Sequence, residues 1–286
     1  MLVWRKISTE KWADSWQERL LFLGWERLVI TRLGDSNRIR MEIFEVTKRE
    51  ATLLVKRFGG EIRNLRLSTA DWARAVVQKR PISIRGQLQI FNRAPGNNRP
   101  IPDNHLYLPA GLAFGTGDHA TTAGCLRLLC DIAPKSGQWS VLDVGTGAGI
   151  LAIAAVKFGA SHVDAFDFDR TAVRTAKQNA KLNKLGHKIH VWKQDVLSFA
   201  PKRSYEIVTA NLYSELLLRS ANLLGRSLVP EGYLIASGVL RDQVDPIHKL
   251  LEESGMRTLL TRVRGKWSTL LARKQEPRTD AKKYDD

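Results

Sequence analysis

Apolar and polar residues alternate in two periods along this chain, and the change from one to the other marks its elements. Val3 to Ile7 reads as a strand. Trp12, Trp16, Leu20 and Leu23 then fall three or four apart, which predicts a helix from Thr9 to Gly24, capped by Ser8 or Thr9 and ended by the glycine. Glu26 to Thr31 and Arg38 to Val46 alternate on either side of Gly34, Asp35, Ser36 and Asn37, the pattern of a hairpin. Thr47 to Phe58 carries an apolar stripe of Ala51, Leu54, Val55 and Phe58 closed by Gly59 and Gly60, and Ile62 to Leu67 reads as a strand. The order β, α, β, β, α, β predicts a small ferredoxin-like α+β domain over residues 1–70.

Residues 71–108 read as a connector. Asp71 to Lys79 has the pattern of a short helix, Ile82 to Asn92 that of one strand after Pro81, and Arg93 to Asn104 is a proline- and asparagine-rich loop. From residue 109 to 274 strands and helices take turns. A helix that Asp118 is placed to cap buries Leu126, Leu129 and Cys130, and strands follow at Val141 to Val144, Val163 to Phe168, Ile189 to Trp192, Ile207 to Ala210 and Tyr233 to Ser237. Helices fall between them: one ending at Phe158, then Arg170 to Asn183, Tyr213 to Leu228 and Arg241 to Ser254. Such alternation predicts a mostly parallel sheet covered on both faces. Arg257 to Val263 and Ser268 to Arg273, joined through Gly265 and Lys266, are predicted to be an antiparallel pair closing the sheet. The polar tail, 275–286, reads as disordered.

The stretch Trp139 to Ile150, WSVLDVGTGAGI, carries the clearest chemistry. A strand ends on Asp143 and breaks into Gly145, Gly147 and Gly149 ahead of a helix, a nucleotide-binding turn at which the backbone lets a ligand come close and the first amides of the next helix are expected to face it. In an open parallel sheet ligands lie beyond the carboxyl ends of the strands, where Asp143, Asp167, Asp195 and Asn211 fall. Asp167 stands 22 residues beyond Gly145, where a carboxylate accepts from both ribose hydroxyls of an adenosine. Asp143 would repel a pyrophosphate and welcome a cationic or amino-bearing ligand. His119, between Asp118 and Ala120, reads as a loop-fixing or capping residue more readily than as a base.

Composition adds little to the fold and something to the partners. Hydrophobic residues make up 43% of the 286, ordinary for a globular chain, and no apolar run is long enough to span a membrane. The first residues read as folded protein and not as a targeting peptide. Cys125 and Cys130, five apart, do not share a helix face, so a reduced, cytoplasmic setting and no zinc site are expected. The net charge of +16 implies an acidic partner, with nucleic acid or a ribonucleoprotein first. The helix face of Arg170, Arg174, Lys177, Lys181 and Lys184 is expected to be solvated, with contact to RNA as the alternative.

The acid and glycines of Asp143, Gly145, Gly147 and Gly149 resemble the first motif of class I S-adenosylmethionine-dependent methyltransferases. GLAFGTGDHATT (111–122), DVGTGAGILAIAAVKFGA, DFD, ANLYSELL and LIASGVL narrow the resemblance to the ribosomal protein L11 methyltransferase family, PrmA, over residues 105–273. The resemblance implies a Rossmann-like sheet of seven mostly parallel strands with S-adenosylmethionine as cofactor. It implies that Phe114 and Thr122 border the methionine end, Gly145 and Gly147 approach it through their backbone, Asp167 holds the ribose and Asp195 lies near the adenine amine. Asn211 beside the sulfonium would be the catalytic group, helped by the carbonyl of Leu212. It further implies a monomer acting without a metal on amines of a ribosomal protein chosen by the N-terminal domain, with possible contact to ribosomal RNA. Ala120 in place of a proline, and NLYSE in place of NILAE, depart from the family pattern without removing a ligand-bearing group. Other readings are methylation of a different protein lysine or of RNA, and a non-catalytic ribosome-binding or assembly factor.

Overall fold

The computed structural model describes residues 2–12, 16, 19–20, 28–33, 37–44, 46–64, 81–93, 100–109 and 119–276. The chain divides into two compact units, Met1–Lys79 with Ala110–Phe114, and Arg80–Pro109 with Gly115–Asp286.

In the first unit β1 (Leu2–Thr9), β2 (Leu28–Arg32), β3 (Arg38–Ile43) and β4 (Glu61–Asn64) form an antiparallel sheet in the order β2-β3-β1-β4, the ferredoxin-like arrangement. Helix α1 (Lys48–Phe58) starts in a capping box, in which the Glu50 amide donates to Thr47 Oγ1 and the Thr47 amide to Glu50 Oε2. Ala51 and Leu54 face the core beside Trp4, Met41 and Ile43, whereas Val55, expected on the same stripe, is exposed. Trp4 is wholly buried and its Nε1 donates to Gly59 O at 2.8 Å. Of the tryptophan-rich helix expected after β1, a 3-10 turn at Glu10–Trp12 is described, with Trp16 and Leu20 in the core and Trp12 half-exposed. The rest of that helix and the one expected at Asp71 to Lys79 lie outside the described residues.

The second unit begins with β5 (Ile82–Ile84), β6 (Leu88–Phe91) and β7 (His105–Tyr107). The single strand expected from Ile82 to Asn92 is a hairpin, because Arg85 and Gly86 both adopt positive φ (53° and 70°) and turn the chain back. An arginine in that conformation gives no sequence signal for a turn. α2 (Ala120–Ile132), β8 (Ser140–Val144), α3 (Ile150–Lys157), β9 (His162–Asp167), α4 (Arg170–Leu182), β10 (Ile189–Lys193), β11 (Tyr205–Asn211), α5 (Ser214–Arg226), β12 (Leu228–Leu240), α6 (Val244–Glu253), β13 (Met256–Arg264) and β14 (Trp267–Lys274) follow. The seven-stranded sheet has the order β10-β9-β8-β11-β12-β14-β13, parallel from β10 to β12 and antiparallel at β14 and β13.

Its strands are apolar on both faces because both are covered. Val141, Val163, Ala165 and Ile207 pack with α2, α3 and α4, while Leu142, Val144, Phe166 and Val208 pack with α5 and α6. Helix α5 ends at Arg226, two residues short of expectation. Ser227 closes it by donating its hydroxyl to Leu223 O, and Leu228 opens β12. The basic face of α4 is exposed opposite buried Ala172, Val173 and Ala176, the solvated arrangement its period implies.

Ile84, Leu88, Ile90, Leu106 and Leu108 join the core under α2 and α3. Asn183, buried after α4, fastens β7 to it. Its Oδ1 accepts the Tyr107 amide at 2.9 Å, and its Nδ2 donates to Tyr107 O and Asn179 O at 2.8 Å each. Replacing Asn183 with alanine strands both backbone groups of Tyr107 away from water, a loss of about 2–4 kcal/mol. Urea unfolding is expected to show the midpoint falling with an unchanged slope.

Candidate functional site

The strand order turns back at β8, with β9 and β10 on one side and β11 on the other, so a crevice opens at the carboxyl ends of β8 and β11. The glycine turn forms its floor. Gly145, Gly147 and Gly149 have φ of 69°, 55° and 84°, which side-chain-bearing residues rarely adopt. Their amides bond within the protein. Gly145 and Thr146 both donate to Phe166 O (2.9 and 3.0 Å), Gly147 to Asp167 Oδ2 (3.0 Å) and Gly149 to Thr146 O (2.8 Å). Three of these amides stitch the turn to the end of β9, the fourth closes the turn on itself, and none of the four is available as a phosphate cradle. Nor is the open side of Gly145 left for a ligand, since a Cβ there would lie 2.4 Å from Leu212 Cδ2.

Asp143 differs from expectation in the same way. It is 1% exposed, and its oxygens accept from Thr146 Oγ1 and Thr209 Oγ1 at 2.6 Å each, so it braces β8 against its own turn and against β11 and does not face a ligand. Burial pushes its pKa up to about 6, against the opposing pull of the two hydroxyls and the Ala152 backbone.

Asp167 lies at the crevice, where Oδ2 accepts from Gly147 and Oδ1 from the Asp169 amide at 3.0 Å each. A carboxylate has about four lone-pair sites, so both oxygens retain capacity for hydroxyl donors. Asp195 is exposed after β10 and accepts the Leu197 amide at 2.9 Å, capping a 3-10 turn. Across the crevice Asn211 ends β11, and its Nδ2 donates to Thr122 Oγ1 at 3.4 Å, which leaves Oδ1 for another donor. Thr122 is buried in the first turn of α2, whose cap is His119. The His119 Nδ1 meets Thr121 Oγ1 at 2.7 Å, and its ring packs edge-on against Trp267. Phe114 and Asp118 lie outside the described residues.

Leu212 is a participant that the sequence reading undervalued. Its side chain covers Gly145, its amide donates to Ser237 O at 3.0 Å, and its carbonyl packs against Gly238. That carbonyl, expected to receive a substrate amine, is therefore aimed at β12. A glycine inside an apolar strand, as in LIASGVL, was the available signal for such a close approach. Tyr213, the N-cap position of α5, is exposed beside Asn211. Elsewhere, Arg85 and Arg262 both reach Asp131, bidentate at 2.6–2.8 Å and at 3.2 Å. The Arg127 pKa is lowered by burial and by nearby Arg264, Arg85 and Arg262. Among the described residues no three His, Cys, Asp or Glu side chains converge as a metal-binding set, and both cysteines are free and buried.

The family model described as ribosomal protein L11 methyltransferase (PrmA) matches residues 21–275. A ribosomal protein L11 methyltransferase of Listeria monocytogenes serotype 4a is 36% identical over 209 residues, which are 71% of this chain and 65% of the relative. The chain thus matches just under two thirds of that relative's length. One from Heliobacterium modesticaldum is 38% identical over 169 residues, 59% of this chain and 52% of its own. A crystal structure of a ribosomal protein L11 methylase from Lactobacillus delbrueckii subsp. bulgaricus superposes with a TM-score of 0.61 at 30% identity. It covers 69% of this chain and 100% of that one.

The Asp143 carboxyl gives the site a pH signature. Its folded pKa of about 6 exceeds the unfolded value of about 3.9, so between those pH values the folded state holds a proton that the unfolded state releases. Its contribution to stability therefore falls as pH rises from about 4 to about 6, by at most ~3 kcal/mol. Asp143→Asn is expected to lack that slope. Urea unfolding of both proteins at pH 4.5, 5.5 and 7 should show their stability difference moving in favour of the asparagine as pH rises; a constant difference would contradict the raised pKa.

Proposed function

The chain belongs to the ribosomal protein L11 methyltransferase family, and from that premise we propose that it transfers methyl groups from S-adenosylmethionine to lysine or N-terminal amines of a ribosomal protein, L11 by the name of its relatives. The observation that carries this reading is Asn211 held by Thr122 at the end of β11, beside a glycine turn whose amides are committed to the protein.

The donor set fits the cofactor and not a dinucleotide. The turn amides of Gly145, Thr146, Gly147 and Gly149 are committed within the protein, and Asp167 retains acceptor capacity for a ribose diol. Strands β10, β9, β8 and β11 are neighbours about 4.8 Å apart, so Asp195, Asp167, the turn and Asn211 are distributed over roughly 14 Å of strand ends. In this reading Asp195 lies by the adenine amine, Asp167 holds the ribose, Gly147 lines the approach and Thr122 and Phe114 border the methionine end. Gly145 acts by admitting Leu212. Bound there, the cofactor supplies an electrophilic methyl group on a positively charged sulfur.

The residues of this chain then have to present an amine in line and without its proton. A lysine, with an ordinary pKa of about 10.4, attacks only when neutral, and desolvation in a closed crevice favours that form. Asn211 Oδ1 accepts an N–H from the amine and aims its lone pair, while the apolar floor limits water. Acceptor choice falls to the N-terminal unit, and the chain works as a cytoplasmic monomer. If the acceptor is presented on a ribosome, the arginines around Asp131 are the place where RNA phosphates would meet the catalytic unit.

The test is tritiated methyl transfer into undermodified ribosomes, followed by separation of protein from RNA. Label in protein supports this reading, label in RNA replaces it, and a chain that binds no S-adenosylmethionine is a binding factor and not the enzyme. Asn211→Ala is expected to keep the cofactor Kd within about threefold and to lower kcat by about a hundredfold or more, the scale of losing one aligned hydrogen-bonding group. Full turnover in that variant would remove Asn211 from the mechanism.

A further inference from the structure

The backbone that follows Asn211 is held more tightly than a loop at an active site requires. Leu212 sits between two glycines of left-handed φ, Gly145 at 69° and Gly238 at 89°. A Cβ on Gly238 would lie 2.1 Å from Leu212 O and 2.7 Å from its carbonyl carbon, distances no side chain can satisfy without moving that peptide. Gly238 is also where the pairing of β12 with β14 shifts register, between Ser237 and Val239. A bulge of this kind re-aims the chain beside it.

The bulge is anchored from behind. Ser237 takes the Leu212 amide on its carbonyl at 3.0 Å, and its own hydroxyl donates to Ser268 O at 2.8 Å and meets Thr269 Oγ1 at 3.0 Å. Ser237, Ser268 and Thr269 are all buried. Thr269 in turn lies against Gly124 of α2, where a Cβ would approach its Oγ1 to 2.2 Å. The same helix carries Thr122, the partner of the Asn211 side chain. A closed circuit therefore runs from Asn211 through Leu212, Ser237, Thr269 and α2 back to Asn211, and it passes through none of the groups assigned to the adenosine end.

We propose that the Ser237–Gly238 bulge, backed by Thr269, positions the acceptor side of the site, fixing where the Asn211 amide stands without contact to the groups assigned to the adenosine end. Gly238 and Thr269 are positioning residues in this scheme, since neither reaches the reacting atoms. The proposal rests on the methyl-transfer reading given above. It distinguishes an adenosine side, set by the stitches between the glycine turn and Asp167, from an acceptor side, set by β12 and β14, which meets the turn where Leu212 covers Gly145.

Four variants test it. Gly238→Ala places a methyl group against the Leu212 peptide. Gly137→Ala, at a φ of 86° with no atom within 4 Å of the added Cβ, carries the backbone strain alone. Thr269→Val removes the hydroxyl at constant volume, with Thr269→Ser as the conservative partner should Gly238→Ala fail to fold. The readouts are S-adenosylmethionine Kd, kcat and KM for methyl transfer to the ribosomal protein, and hydrogen exchange of the Leu212 amide. For Gly238→Ala the expectation is a kcat lowered about a hundredfold, the scale of an ångström-sized misplacement. Donor Kd should stay within about threefold, and protection of the Leu212 amide should be lost. Thr269→Val is expected to lower kcat about tenfold and Thr269→Ser to restore it, with Gly137→Ala at wild-type turnover. Wild-type kcat in folded Gly238→Ala and Thr269→Val, a retained Leu212 amide in Gly238→Ala, or a donor Kd that weakens in step with kcat overturns the positioning role alone. A wild-type chain that binds the donor yet methylates no protein amine overturns the functional reading, and this proposal with it.

Discussion

The buried carboxylate of Asp143 is the constraint around which the catalytic unit is arranged. With both oxygens on threonine hydroxyls, one in its own turn and one on the neighbouring strand, it fixes the glycine turn relative to β11. Burying a carboxyl is costly unless its oxygens are satisfied, and here they are. Because Thr209 lies two residues before Asn211, a bond that first reads as local bracing also determines where the next strand delivers its functional side chain.

From that brace the two walls of the crevice follow by different means. Toward β9, backbone amides of the turn are consumed by Phe166 and Asp167, which orients the Asp167 carboxylate. Toward β12, contact is achieved by subtraction, since Gly145 and Gly238 leave out side chains so that Leu212 can pass between them. Hydrogen bonds thus shape the wall toward β9, and close packing shapes the wall toward β12.

Outside the crevice the same logic of satisfied burial recurs. Asn183 meets both backbone groups of Tyr107, and so docks the short β7 strand onto the core without leaving an unpaired peptide. Asp164 does comparable work near the other end of β9, where the Tyr205 hydroxyl at 2.7 Å and Arg203 at 2.6 Å hold its carboxyl below the usual range in spite of burial. Charge is sparse inside and abundant outside, so the +16 excess is carried by surfaces such as the outer face of α4 and the arginines around Asp131.

The sequence by itself determined the architecture: the ferredoxin-like sheet, the parallel strands with a closing antiparallel pair, and the strand-end positions of Asp167, Asp195 and Asn211. Those follow from periodicity and from where apolar runs stop, and periodicity is a local property that survives in one dimension. It was blind where backbone conformation departed from residue preference, as at Arg85, whose positive φ made a hairpin from one expected strand. It also aimed the carboxylate of Asp143 at a ligand. Only tertiary structure decided that Asp143 is taken by Thr146 and Thr209, that the turn amides go to Phe166, Asp167 and Thr146, and that Leu212 fills the space glycine leaves. Composition names the groups able to form hydrogen bonds, but the partner each one finds depends on distances between segments far apart in the chain, which no local pattern encodes.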